Sequence, residues 1–239
     1  MLVLWDVDYT LVATDRVGWH LYAVVLAELY GLEMPSGLGS MAGRTDTAIA
    51  LEVLTAVGLA DPRGALPGFQ QRLAARAPEL ESMVRERGRV LPGAAEALAA
   101  VSSLARHDDG QLVVQSLLTG NIPALAQVKL GALDLTEHLD LGVGAYGDVS
   151  EVRADLVPVA RRNAARRYAV DFSGTATVLI GDTPNDIEAA AISGARAVGV
   201  ASGSFTMQQL RDAGAEVVFP DLTDTEFVVA AVCSFEAAD

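Results

Sequence analysis

The sequence predicts an α/β fold: a parallel sheet covered by helices on both faces, interrupted early by a helical insert. Short β-rich runs alternate with helical patterns along most of the chain. Those runs are almost continuously apolar, as expected of strands buried on both faces. Between Asp15 and Arg89 the texture changes to helical stretches with no convincing strand.

Taken in order, Leu2–Val7 reads as the first strand. Helical periodicity follows near Val17–Tyr30, Thr45–Val57 and Phe69–Arg87, the last broken at Pro78. Leu91-Pro92-Gly93 then opens a helix over Ala94–His107, since proline is tolerated in a first helical turn. Further strands are expected at Leu112–Leu118, Thr177–Ile180, Ala197–Val200 and Val217–Phe219, and the end of the chain, Ser234–Asp239, is expected to fray. The resulting partition is a core built from residues 1–14 and 91–239, with a helical cap over 15–90. A length of 239 residues suits one ordinary domain carrying a smaller inserted one.

Composition narrows the function classes. Half the residues are hydrophobic (51%) and 20% are charged, enough apolar side chain for a sizeable core and against disorder. Arginine and lysine total 17 against 31 acids, a net charge of −14 that disfavours nucleic acid and anionic membrane as partners. Cys233 is the single cysteine, which excludes an intrachain disulfide and a cysteine-cluster zinc site. No basic leader precedes Asp6, and no charge-free apolar run approaches the roughly 18 to 20 residues that span a bilayer. A cytoplasmic protein, monomeric or homodimeric, is the expectation.

The chemistry-bearing residues sit at strand ends. Asp6-Val7-Asp8-Tyr9-Thr10 closes the first strand, and alternate side chains of an extended segment point the same way, so Asp6 and Asp8 converge. Open α/β sheets place ligands at this carboxyl edge. Gly181-Asp182-Thr183-Pro184-Asn185-Asp186 repeats the pattern, with a second acid at a helix start. Carboxylates so close raise one another's pKa unless a cation neutralises them, and a hard divalent ion such as magnesium suits all-oxygen donors. For either pair alone, solvated or helix-capping acids are the competing reading.

Thr119-Gly120-Asn121 follows another apolar strand, with Pro123 in the next helix. A hydroxyl and free N–H groups at a helix start form an anion site; the competing reading, compatible with the first, is that Asn121 simply caps that helix. Arg153, at the start of a later helix, is the candidate to neutralise a phosphate and Asp6 together, against the competing reading of an ordinary surface arginine.

In order and spacing these segments resemble the haloacid dehalogenase superfamily, over residues 2 to about 200. Asp6, Asp8 and Thr10 match its first motif, Thr119 its second, Arg153 its third, and Asp182 with Asp186 its fourth. The resemblance implies a doubly wound, Rossmann-like core with a C1-type helical cap, closest in layout to phosphoglycolate phosphatase-like enzymes. Two positions depart from the pattern: Tyr9 stands where many relatives have glycine, and Arg153 where lysine is usual. Lys129, the single lysine, follows the second motif and cannot fill that slot.

The implied activity is Mg²⁺-dependent hydrolysis of a small phosphorylated metabolite. Asp6 would be the nucleophile, Asp8 the general acid and base, and Thr10 a support for the turn. Thr119, Gly120, Asn121 and Arg153 would hold the phosphoryl oxygens. Asp6, the Asp8 carbonyl and Asp182 would bind the metal, with Asp186 acting on it through water. Dehalogenases of this group lack the second aspartate, and its phosphonate hydrolases need a cap lysine that residues 15–90 do not contain. A phosphosugar mutase of β-phosphoglucomutase type and a non-catalytic regulatory module are the rival readings. In the cap, Arg44 and Thr45 are the candidates for substrate contact, against Thr45 capping a helix with Arg44 solvated.

Overall fold

The computed structural model describes residues 1–104 and 112–233. The far end of the helix expected over Ala94–His107 and the tail Ser234–Asp239 lie outside those residues. Five parallel strands form the main sheet in the order β4-β1-β5-β6-β7: β1 (Leu2–Trp5), β4 (Val114–Leu117), β5 (Thr177–Gly181), β6 (Arg196–Val200) and β7 (Val217–Phe219). β1 ends at Trp5, short of Val7, because the Val7 carbonyl turns to accept from the N–H groups of Leu11 and Val12.

Alternation along each strand divides the core. Val3, Trp5, Val178 and Ile180 face one side, where α5 (Ala94–Leu104), α6 (Pro123–Ala132) and α10 (Thr225–Cys233) pack. Leu2, Leu4 and Leu179 face the other, against α7 (Leu156–Tyr168), α8 (Pro184–Ser193) and α9 (Met207–Asp212). This is the α/β class expected, with helices on both faces.

The cap is α1 (Val17–Tyr30), α2 (Asp46–Ala56), α3 (Pro62–Arg76) and α4 (Glu81–Arg87). The helix expected from Phe69 begins earlier, because Asp61 caps it by accepting from Gly64 N (2.9 Å) and Pro62 occupies its first turn. It breaks into a 3-10 turn at Ala77–Leu80 around Pro78. A two-residue antiparallel ribbon, β2 (Val12–Ala13) with β3 (Arg89–Val90), joins the chain's exit to the cap with its return and has no sequence signature of its own.

Helix α6 belongs to both halves. Ala126 and Leu130 face the sheet, whereas Ile122, Leu125 and Ala132, at its start and along it, join the cap's apolar cluster of Tyr22, Val25, Phe69 and Leu73. Anything on α6 between those two faces looks into the seam between cap and core.

Candidate active site

Strand register sets the site. Trp5 pairs level with Leu117 on one side and Ile180 on the other, so the next residues of β1 and β5 bring Asp6 and then Asp182 to one edge. Thr119 stands two residues beyond β4. Because β4 and β5 flank β1 on opposite sides, this is also the point where strand order reverses, the usual crevice of such sheets.

Asp6, Asp182 and Asp186 are all buried, and a carboxylate oxygen from each lies within 4.8 Å of the others. Burial pushes the Asp6 carboxyl up to about 6 despite the nearby Arg153 guanidinium. Asp182 is pushed up to about 9, by burial first and then by Asp6 and Asp186. Its side chain accepts only a long hydrogen bond, from the Thr10 hydroxyl at 3.4 Å. Asp186 is held by Thr183, whose N–H and hydroxyl both donate to it in a reciprocal cap of α8.

Arg153 is the cation among these acids. Its Nη2 lies 2.9 Å from Asp6 and 2.6 Å from Asp186, and it also donates to the Leu118 carbonyl at 3.1 Å. Burial works against its charge, but Asp186 and Asp6 more than offset it. Its Nε is buried with no partner among the described residues, an orphan donor suited to an added anion. Three buried carboxylates against one guanidinium leave negative charge uncompensated. That deficit, with an all-oxygen donor set, fits a hard divalent cation.

Around this cluster the other expected residues take the following places. Thr119 is fully buried, and its hydroxyl accepts from Asn121 N (3.3 Å) and Nδ2 (2.9 Å). Asn121 does not cap α6: Nδ2 also donates to Asp8 at 2.7 Å, while its Oδ1 accepts from Lys129 at 2.8 Å. Asp8 stands outside the acidic trio and binds Lys129 with both oxygens. Tyr9 lies at φ +57°, a left-handed conformation that costs a bulky residue roughly 1–2 kcal/mol and explains glycine at this position in the resembling family.

On the cap side, Arg44 lines the cavity but pairs with Glu52. Thr45 is fully buried and caps α2 by accepting from Ala48 N at 3.2 Å, so the capping reading replaces the substrate reading for that residue. The segment Gly43–Thr47 is docked on the core. Asp46 N donates to the Gly120 carbonyl (2.7 Å), Thr47 N to Gly147 O (2.9 Å), and Asn185 Nδ2 to Gly43 O (3.0 Å). Gly120 has to be glycine here, because a Cβ would lie 1.9 Å from the Arg44 carbonyl oxygen. Beside this seam lies an open-mouthed cavity of about 440 Å³ reaching Asp6, Asp8, Trp19, Lys129, Arg153 and Asp182.

Two buried charged residues lining the cavity escape the sequence reading. Lys129 is one, legible only as a lysine on an otherwise apolar helix. Asp46 is the other: it sits on the cap, yet its carboxylate caps core helix α6 by accepting from Ile122 N at 2.7 Å, and it also accepts from Tyr22 Oη at 2.9 Å. Burial pushes it up to about 6 against an ordinary 3.8, with the Ile122 N–H opposing. A folded pKa above the unfolded one means the folded state takes up the proton first as pH falls. Wild type should therefore gain about 1 kcal/mol over Asp46→Asn between about pH 7.5 and about pH 5. Urea unfolding of both proteins at the two pH values checks this, and a constant difference contradicts it.

Comparison with known proteins agrees with this geometry. Residues 152–225, from just before Arg153 through Asp182 and Asp186, match the HAD-hydrolase-like family model. Probable phosphatase IndB of Dickeya dadantii is 28% identical over 223 residues, covering 91% of this chain and 88% of that protein. A hydrolase from Pseudomonas syringae superposes with a TM-score of 0.63 at 19% identity, over 95% of this chain and 97% of its own. A predicted phosphoglycolate phosphatase from Haemophilus somnus gives 0.63 at 18% identity, over 95% and 96%. The family match covers residues 152–225, and the likeness to the solved hydrolases shows a shared fold over almost the whole chain.

Proposed function

We propose that the chain is a divalent-cation-dependent phosphatase that hydrolyses a small phosphate monoester through an aspartyl-phosphate on Asp6. The observation that carries this reading is a buried Asp6 at a strand end, lining a cavity and paired with an arginine whose Nε is buried with no partner among the described residues. The cavity volume suits a small metabolite. The related phosphatase of Dickeya dadantii supports the same reaction class.

An Asp6 oxygen attacks phosphorus as the bond to the leaving oxygen breaks, and Asp8 supplies that oxygen's proton. In the second half, Asp8 takes a proton from water while the water oxygen attacks phosphorus. The Asp6–phosphorus bond then breaks, its electron pair returns to the carboxylate, and inorganic phosphate leaves. Arg153, Thr119 and the N–H groups near Gly120 and Asn121 hold the phosphoryl oxygens. Asp6, Asp182 and the Asp8 carbonyl would hold Mg²⁺, with Asp186 supporting them through water, and the bound charge would supply screening between carboxylate and ester. Arg44 at the cavity wall is the candidate for contact with the leaving group.

Phosphate release from a generic aryl phosphate is expected in the presence of Mg²⁺ and is expected to stop on addition of EDTA. Turnover that continues without metal contradicts the reading. Isomerisation of sugar 1-phosphates ahead of hydrolysis would identify a mutase instead.

A further inference from the structure

The chain's single lysine has a place in the site that neither motif nor mechanism assigns. Lys129 on α6 is 3% exposed, and an ammonium so deeply buried persists only when paired. Its Nζ donates to Asp8 Oδ1 at 2.7 Å, Asp8 Oδ2 at 2.6 Å and Asn121 Oδ1 at 2.8 Å. Three donors thus meet three acceptors, leaving none for a substrate.

Asn121 completes the clamp by donating through Nδ2 to Asp8 Oδ2 and to the Thr119 hydroxyl. The loop after β4 therefore fixes the carboxylate that follows β1. The two oxygens of Asp8 are held unequally. Oδ2 receives Lys129 and Asn121, whereas Oδ1 receives Lys129 and only a 3.5 Å contact from the Thr14 hydroxyl. The Asp8 side chain keeps 32% of its surface exposed beside the cavity, against 7% for Asp6.

We infer that Lys129 is a positioning residue for the water-activating half of the reaction. With Asn121 it fixes the Asp8 carboxylate so that Oδ1 stays open to the cavity and takes the proton of the water attacking phosphorylated Asp6. This rests on the phosphatase reading above. Lys129 touches neither the phosphoryl group nor the leaving group; it acts through Asp8.

An aryl phosphate isolates the effect, because its good leaving group needs little acid assistance. With such a substrate kcat/KM reports phosphorylation of Asp6, and kcat reports phosphoenzyme hydrolysis where that step is slower. Lys129→Met is expected to lower kcat by about tenfold or more while kcat/KM stays within about twofold, so KM falls in parallel. Phosphoenzyme should accumulate in acid-quenched samples of the variant. In an Asp8→Asn background, Lys129→Met should change kcat by less than about twofold. Should Lys129→Met not yield folded protein, Lys129→Gln, which keeps a donor on a long side chain, undergoes the same measurements.

Equal falls in kcat and kcat/KM, full additivity with Asp8→Asn, or unchanged kinetics would each overturn the inference. The two failures are distinguishable. A wild-type enzyme that forms no phosphoenzyme removes the phosphatase mechanism and this inference with it. A wild type that forms phosphoenzyme, with a Lys129 variant lacking the split, removes this inference alone.

Discussion

Replacing Asp6 by asparagine should lower turnover of an aryl phosphate by about 10⁴-fold or more, with little loss of fold. The magnitude is that of removing a covalent nucleophile from a site whose binding groups remain. The substituted amide keeps the shape of the carboxylate and leaves intact the backbone hydrogen bond from residue 6 to the Ile180 carbonyl (2.9 Å), so the end of β1 should hold. Stability should not suffer from the missing charge. Burial already pushes the Asp6 carboxyl up to about 6, which means the fold works against its ionised form. Steady-state rates and urea unfolding of the two proteins check both halves. A variant retaining more than a few per cent of activity would show that another group attacks phosphorus.

Arg153→Met should damage both stability and activity. The guanidinium is the only basic group among the described residues ion-paired with Asp6 and Asp186, and all three side chains are more than nine-tenths buried. Removing one partner of such a cluster leaves buried charge uncompensated, at a cost of about 3–5 kcal/mol in metal-free protein. Added Mg²⁺ should recover part of that loss, since a ligand bound by the folded state alone stabilises it. Turnover should still fall by about 10²-fold or more, because the proposed mechanism sets the arginine against the transferring phosphoryl oxygens. Denaturation with EDTA and with Mg²⁺, alongside steady-state rates, separates the two effects. Unchanged turnover would remove Arg153 from the catalytic site.

Asp6, Asp182 and Asp186 are legible as a cluster because parallel pairing is a local rule with long-range consequences. Once three apolar runs are read as neighbouring strands, the polar residue after each must meet the others at one edge. The strands of the main sheet and helix α1 are equally plain, since continuous apolar runs and a helical period are properties of adjacent residues. The extra first turns of α3 were readable too: Asp61-Pro62 is a helix start by cap chemistry, even though the residues after it carry little apolar periodicity.

Lys129 and Asp46 were not legible, for a physical reason. Each is paired across the fold, Lys129 with Asp8 at a separation of 121 residues and Asp46 with Ile122 at 76. A single sequence carries no trace of such a meeting. A lysine on an apolar helix signals only that some partner must exist. The close approach of Gly120 to the Arg44 carbonyl has the same origin, because it arises where the Gly43–Thr47 segment meets the loop after β4.

The central claim is covalent chemistry at Asp6, and the direct test is to trap it. Wild-type protein mixed with a phosphate-labelled substrate and Mg²⁺, quenched in acid and digested, should carry hydroxylamine-sensitive label on the peptide containing Asp6. No label should appear with Asp6→Asn or in EDTA. Label on any other residue, or turnover with no acyl-phosphate at all, would contradict the account.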